Sequence, residues 1–390
     1  MKVLLRAPLL TTSGYGVHSR QVFEWLSELN NIDLHVECLN WGMTPWMLKE
    51  EHEDGLIGKI MKCSKTLEPP YDVTFQLQLP DEWNPELGKI NIGMSAVVET
   101  DICNPKWVEA CNKMNHVIVP SNFTKSVLAR SGQLNTQVTV IPEWFDKRIA
   151  NNTSFKEIDL GPIDTDFNFM IISQLNANNA VDDRKNIFHT VKWLCEEFKG
   201  DKNVGIFLKT NAGKGTTIDK KITKNLLKQM IAAIGKKEFP RIYLIHGNMK
   251  KEEVSCLYSH EKVNCFVSAT RGEGYGLPII DAAASGMPIV ATNWSGHLDY
   301  LGDDFTKVDY KLVPISDQKE DKRIFFKGAQ WAEPDSKDFK FKVRNVVKDY
   351  PSQKEKANKL KKSVLENYNS SAIKEQYSNL FENILRNSNE

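Results

Sequence analysis

Glu273 and Asp281 stand eight positions apart on either side of Gly274-Tyr275-Gly276-Leu277-Pro278. The apolar run 263–267 in front of them reads as a buried parallel strand. Asp281-Ala-Ala-Ala-Ser-Gly286 behind them reads as a helix closed by glycine. Pro278 fits a first helical turn, where its missing N–H would be unpaired in any case. A strand, a glycine-spaced loop and a helix start present backbone N–H groups and a positive dipole end to an anion. Two carboxylates beside such a site would repel a phosphate, but they suit hydroxyl groups. A sugar nucleotide, with its diphosphate, sugar and ribose, is the simplest ligand that uses all three features.

Other residues offer related chemistry. Asp182-Asp183-Arg184-Lys185-Asn186 follows a strand and opens a helix. Its cations could hold a diphosphate at the helix start, or it is a charged turn with Asp182 or Asp183 as the cap. Lys209 ends the next strand, as a second phosphate contact or as a lysine reaching solvent. In the first half, Ser13-Gly14-Tyr15-Gly16-Val17-His18-Ser19-Arg20 follows the opening strand. Ser19 occupies the third glycine position of a dinucleotide fingerprint, and the loop starts too far past its strand for that tight turn. Glu99, after another strand, could orient an acceptor hydroxyl, stabilise positive charge at a sugar, or cap its turn with Thr100. Asp164-Thr165-Asp166 mimics a D-x-D metal motif but precedes its strand, so it reads as linker.

The run from Glu273 through Gly286-Met-Pro288-Ile-Val-Ala-Thr292 resembles the donor-site signature of the retaining glycosyltransferases of family four, which have the GT-B fold. That signature has two glutamates around a G-x-G-L-P core. Here Glu273 is the first, and Asp281, one methylene shorter, replaces the second. The resemblance extends from the Gly14 loop to Trp331 and includes Pro105-Lys-Trp107, Val117-Ile-Val-Pro120 and Ala329-Gln-Trp331. It implies that Lys185, with Arg184 or Lys209, neutralises the leaving diphosphate; Gln174 stands where the family's arginine usually lies. It implies backbone contacts from Gly274, Tyr275, Gly276 and Leu277, sugar hydroxyls on Glu273 and the ribose on Asp281. Gly14 and Gly16 would approach the donor, Tyr15 and His18 would lie on the acceptor side, and Glu99 would join Lys185 and Glu273 in catalysis. The implied reaction needs no cofactor and no metal. Its partners are a nucleoside-diphosphate sugar and a glycan, lipid-linked or other hydroxyl acceptor. A sugar-nucleotide epimerase or hydrolase, a catalytically silent binding subunit and a nicotinamide dehydrogenase are the alternatives.

The elements that must position these residues follow an alternating pattern. Strands are expected at 3–6, 34–38, 73–79, 90–98, 116–119 and 138–141, then at 167–173, 204–209, 241–245, 263–267, 288–292 and 312–315. Helices fit at 17–29, 105–113, 123–131, 186–198, 217–234, 251–258 and 278–285, and successive helices over 336–386. With a linker over 147–166, this predicts an α/β protein with two Rossmann-like domains facing a central cleft. The expected division is 1–160 on the acceptor side, 161–365 on the donor side, and a last segment 366–390 crossing back to the first domain. At 390 residues and 41% hydrophobic content, two such cores are affordable in size. A net charge of +1 provides no global field for nucleic acid, so a phosphate site must be a local cluster. Seven cysteines without a C-x-x-C spacing argue against a disulfide framework or zinc site. No run approaches the roughly 18 apolar residues of a membrane span, and a cytoplasmic protein is the expectation. Trp41, Trp46 and Trp83 could stack on a sugar or fill a core.

Overall fold

The computed structural model describes residues 1–387 apart from 67, 151–157, 159, 176–178, 212–214 and 234–237. Part of the expected linker, 151–157 and 159, and the end of the helix expected to reach Ile234 therefore lie outside the described residues. The chain divides into two units. Unit 1 comprises Met1–Trp144, Lys322–Phe326 and Ser370–Glu390, and unit 2 comprises Phe145–Asp321 and Lys327–Asn369.

Unit 1 runs β1 (Lys2–Ala7), α1 (Gly14–Ser27), β2 (Asp33–Cys38), α2 (Leu56–Cys63), β3 (Tyr71–Leu77), β4 (Gly88–Met94), α3 (Pro105–Cys111), β5 (His116–Val119), α4 (Asn122–Ser131) and β6 (Val138–Val140). Its six strands form one parallel sheet in the order β2-β1-β3-β4-β5-β6. Both faces of β3 and β4 are covered: Val73, Phe75, Ile92 and Met94 are at most 1% exposed, and the polar Thr74, Gln76 and Asn91 between them are buried and hydrogen-bonded. One face of the sheet packs on Val22, Phe23, Trp25 and Leu26 of α1, the other on Trp107, Val108, Val127 and Leu128 of α3 and α4.

Unit 2 runs α5 (Lys147–Ala150), β7 (Phe167–Gln174), α6 (Ile187–Glu197), β8 (Val204–Asn211), α7 (Thr217–Ala233), β9 (Arg241–His246), α8 (Lys251–Ser259), β10 (Cys265–Ser268), α9 (Leu277–Ser285), β11 (Ile289–Thr292), α10 (Leu298–Leu301), β12 (Thr306–Val308), β13 (Tyr310–Pro314), β14 (Gln330–Pro334), α11 (Ser336–Lys348) and α12 (Tyr350–Asn367). The last helix, α13 (Ser370–Asn387), belongs to unit 1. The second parallel sheet has the order β12-β11-β10-β7-β8-β9. Alternate residues serve its two faces: Phe169, Ile206 and Cys265 point to one core, Met170, Phe207 and Phe266 to the other.

The structure corrects several expectations. The strand expected at 312–315 is β13, which pairs antiparallel with β14 in a separate ribbon. The sixth parallel strand is β12, three residues long and too short for its apolar pattern to stand out. Helix α1 starts at Gly14 rather than at residue 17, because Ser13 caps it by accepting from the Gly16 N–H at 3.0 Å. The expected strand at 90–98 ends at Met94, and Val97 sits at positive φ in the following loop. Pro334 closes β14, and Asp335 caps α11 at Ser336, where the helical tail was expected to begin. Among the described residues, no helix is long and apolar enough to cross a membrane.

Candidate functional site

In unit 2, β7 and β10 are neighbours, yet β8 continues on one side and β11 on the other. The loops leaving their carboxyl ends therefore diverge, which opens a crevice at the switch point of the sheet. The loop after β7 carries Arg184 and Lys185, and the loop after β10 carries Glu273. Asp183 Oδ2 accepts from the Ile187 and Phe188 N–H groups at the start of α6, so Asp183 rather than Asp182 caps this turn. Asp182 accepts from Ser316 and Asn179 instead. Asn186 takes a left-handed conformation (φ +55°) and ties the turn to β10's loop by donating to the Ala269 carbonyl at 2.9 Å.

The tight bend aims Lys185 at Glu273. Its Nζ lies 2.7 Å from both carboxylate oxygens. Arg184 Nη1 lies 3.5 Å from Oε2 and donates to the Gly272 carbonyl at 2.5 Å. Thr270 Oγ1 donates to Oε1 at 3.0 Å. Burial alone would raise the Glu273 carboxyl, but Lys185 and Arg184 outweigh it and hold it at about 2.

A loop absent from the sequence reading braces Glu273 from behind. Ser295 Oγ accepts from the Glu273 N–H at 2.9 Å, and the Gly296 N–H donates to the Glu273 carbonyl at 2.9 Å. A Cβ on Gly296 would lie 2.1 Å from the Gly274 carbonyl oxygen, so only glycine permits this approach. His297 is buried and bonded through Nε2 to the Thr292 carbonyl oxygen at 2.7 Å. The available signal was position: Asn293-Trp-Ser-Gly-His297 follows β11 as the other loops follow their strands.

Gly276 precedes α9 at φ +97°, and Pro278 occupies the first turn. The helix N-terminus thus lies directly after Glu273-Gly274-Tyr275. The Tyr275 ring is in the core against Tyr300, with centroids 5.1 Å apart, so Tyr275 offers the site its backbone alone. Leu277 opens α9. Asp281, one turn in, accepts through Oδ1 from the Asp146 N–H at 2.9 Å, and its second oxygen has no hydrogen-bond partner among the described residues. Part of Asp281 meets solvent, yet burial of the carboxyl, aided by nearby Asp146, pushes it up to about 7. Lys209 does not reach solvent: it is 9% exposed, donates to the Gly247 carbonyl at 2.6 Å, and burial lowers it to about 8.

In unit 1, Tyr15 stacks on Trp41 with ring centroids 3.8 Å apart. Its hydroxyl bonds Ser95 Oγ and accepts from the Ala96 N–H, both at 3.0 Å. Burial, and the charge of Glu99, push the Tyr15 hydroxyl well up. Tyr15, Trp41 and Glu99 thus cluster at the carboxyl edge of this sheet. His18 and Gly16 do not join them. His18 is buried against Tyr377, Nε2 to Oη 3.0 Å, and burial lowers it to about 3, so packing replaces the acceptor-side reading. A Cβ on Gly16 would lie 2.2 Å from the Thr11 carbonyl oxygen, so the close approach it permits is to Thr11 rather than to a ligand. Gly14 is exposed in the first turn of α1. Trp83 packs over Gly93, and Trp46 pairs by a β-bridge with Thr11.

Asp164 pairs with Arg241, and Thr165 bonds Asn168 and Tyr243, which fixes the D-x-D look-alike at the amino end of β7. A cavity of about 320 Å³ lined by Phe305, Lys307, Lys342 and Lys356 also opens at the amino end of a strand, β12, away from the carboxyl-end loops.

Comparison with known proteins agrees with the reading of unit 2. Residues 215–364 match the family model of glycosyl transferases group 1. No curated protein matches the chain by sequence. Among solved structures, sucrose-phosphate synthase from Thermosynechococcus elongatus aligns with a TM-score of 0.64 at 15% identity over 99% of both chains. A glycosyltransferase from Rickettsia africae gives 0.65 at 12% identity, again over 99% of each. Anabaena HepE, solved in complex with UDP and glucose, gives 0.62 at 13% identity over 98% of this chain and 100% of its own. At these identities the structural likeness establishes the fold, the α/β GT-B class.

Proposed function

We propose that this chain, whose residues 215–364 carry the group 1 glycosyl transferase pattern, is a retaining hexosyltransferase that uses a nucleoside-diphosphate sugar. The observation that carries this reading is the contact of Lys185 and Arg184 with Glu273 at the switch point of unit 2, beside the start of α9. A donor's diphosphate would draw Lys185 and Arg184 away from Glu273 and accept from the α9 N-terminus. Glu273 would then spend its oxygens on sugar hydroxyls, and the second oxygen of Asp281 would take a ribose hydroxyl. Lys209, already engaged with Gly247, serves as a more distant positive charge.

The bond from the anomeric carbon to the leaving phosphate oxygen breaks, and the acceptor oxygen bonds the same carbon on the same face. The acceptor proton passes to the departing diphosphate. With its oxygens spent on sugar hydroxyls, Glu273 is not available to take that proton, which favours the phosphate in this role. A covalent route would need a nucleophilic carboxylate about 5 Å from its partner, and Glu273 is assigned to the sugar hydroxyls. Lys185, Arg184 and the helix start supply the positive charge, so the proposed reaction needs no metal. The acceptor is a hydroxyl on a glycan, a lipid-linked sugar or another molecule. Seven cysteines without a C-x-x-C spacing support a reducing, cytoplasmic setting.

A panel of UDP-, GDP- and ADP-sugars, screened by calorimetry and then incubated with and without sugar acceptors, tests the reading. One donor should bind and be transferred with its anomeric configuration kept, by NMR of the product, and chelator should leave the rate unchanged. UDP-glucose is the first probe, since HepE was solved with UDP and glucose. Binding of none of them would overturn the proposal. Consumption of the donor alone at full rate would point to the epimerase or hydrolase instead.

A further inference from the structure

We infer that Arg271 is a positioning residue for the diphosphate-binding Lys185; this rests on the function proposed above. Arg271 is 3% exposed. Its Nη1 donates to three carbonyl oxygens of the loop before α6: Ala180 at 2.7 Å, Asp183 at 2.9 Å and Val181 at 3.1 Å. Nε bonds Glu333 Oε2 on β14 at 2.7 Å, and the guanidinium lies over the Trp331 ring, 5.3 Å from its centroid. The Arg271 main chain adds two more ties: its N–H donates to the Arg184 carbonyl at 2.8 Å, and its carbonyl accepts from the Ala332 N–H at 3.0 Å. One residue therefore joins the loop carrying Arg184 and Lys185, the loop carrying Glu273, and the β13–β14 ribbon.

The physical reason for arginine is donor geometry. The loop turns three carbonyls inward, and buried carbonyls require donors. A planar guanidinium serves them and Glu333 together, which a lysine ammonium does not. Arg271 and Glu333 also cancel each other's charge, so the field at the site is left to Arg184 and Lys185. The ribbon, which is outside the parallel sheet, thereby acquires a role as the anchor of this strut. Arg271 acts through Lys185, two residues beyond Asp183. A displacement of that ammonium by about 1 Å is enough to cost on the order of 100-fold in rate.

Calorimetric titration of the full chain with UDP and with UMP, or with the di- and monophosphate of whichever base the donor panel selects, tests the inference. Arg271→Lys should weaken UDP binding by about 10- to 100-fold and UMP binding by no more than about 2-fold, with a matching loss of kcat. In a Lys185→Ala background, Arg271→Lys should add no more than about 2-fold, because its effect passes through Lys185. Equal losses for UDP and UMP, or a full additional loss on Lys185→Ala, would overturn the positioning role. Should Arg271→Lys fail to fold, Glu333→Gln, which keeps Arg271 but loosens it, is judged by the same two criteria. A wild-type protein that binds no nucleoside diphosphate refutes the proposed function itself. A wild type that binds UDP, with Lys185→Ala impaired and Arg271→Lys unaffected, refutes the strut alone.

Discussion

Lys185 and Glu273 form the most consequential pair in the molecule, because each is largely withdrawn from water and each neutralises the other. Removing Lys185 should act twice. Loss of an ammonium aimed at a leaving group costs on the order of 100- to 1000-fold in rate. It also leaves a buried carboxylate partly unpaired, and breaking a buried pair typically costs about 3–5 kcal/mol of stability. Arg184 and Thr270 remain near Glu273, so the lower figure is expected. The double variant Lys185→Ala/Glu273→Gln should regain most of the stability in urea melts while transfer stays lost. Recovery of both together would remove Lys185 from the chemistry.

Asp281 gives the opposite charge logic. Its folded pKa, about 7, lies above the ordinary 3.8. Between those values the folded chain binds the proton that the unfolded chain has released, so stability falls as pH rises from about 4 through 7. Glu273, held at about 2 against an ordinary 4.5, contributes stability above 4.5 that is lost as pH falls toward 2. Asp281→Asn keeps an oxygen for the Asp146 N–H and should raise the urea midpoint at about pH 8 while leaving it nearly unchanged at about pH 4. Identical pH slopes for the two proteins would show that the Asp281 carboxyl is not held protonated.

At the scale of elements, the start of α9 depends on one glycine. Gly276 holds φ +97°, and a Cβ there would lie 3.0 Å from Tyr300 Oη. That hydroxyl donates to the Gly276 carbonyl at 2.8 Å, which pins the turn from inside. An L-residue in the left-handed region costs about 1–2 kcal/mol. Gly276→Ala should therefore lower the unfolding free energy in urea melts by that amount and weaken nucleoside-diphosphate binding, because the helix N-terminus moves with the turn. Unchanged binding at reduced stability would separate α9's dipole from the site.

At the scale of the whole molecule, the last helix completes the core of unit 1. Trp25 stacks on Tyr377 with centroids 5.0 Å apart and meets Phe381 edge-on at 5.8 Å, and Ile373 is fully buried beside them. Lys374 pairs with Glu24 and Glu28 of the same unit. Truncating a large buried aromatic costs about 3–5 kcal/mol, so Tyr377→Ala should lower stability by that order and leave His18 without its hydroxyl partner. A change below about 1 kcal/mol in denaturant unfolding would mean that unit 1 holds together without α13.

Sequence alone determined the alternation of strands and helices, since a strand buried on both faces needs a largely apolar run and the covering helices need an amphipathic one. It also singled out Lys185, Arg184 and Glu273, because charges beside glycine-rich strand ends are chemically conspicuous. Strand order was not legible, as parallel pairing is decided by contacts far apart in the chain. Nor was the fate of individual side chains: His18 and Gly16 stood in a promising loop, and only packing turned them toward Tyr377 and Thr11. The bracing by Ser295, Gly296 and Arg271 was invisible for the same reason. Those residues act through hydrogen bonds to main-chain atoms of distant loops, and main-chain atoms carry no residue-type signal, so tertiary structure alone decides which side chains they meet.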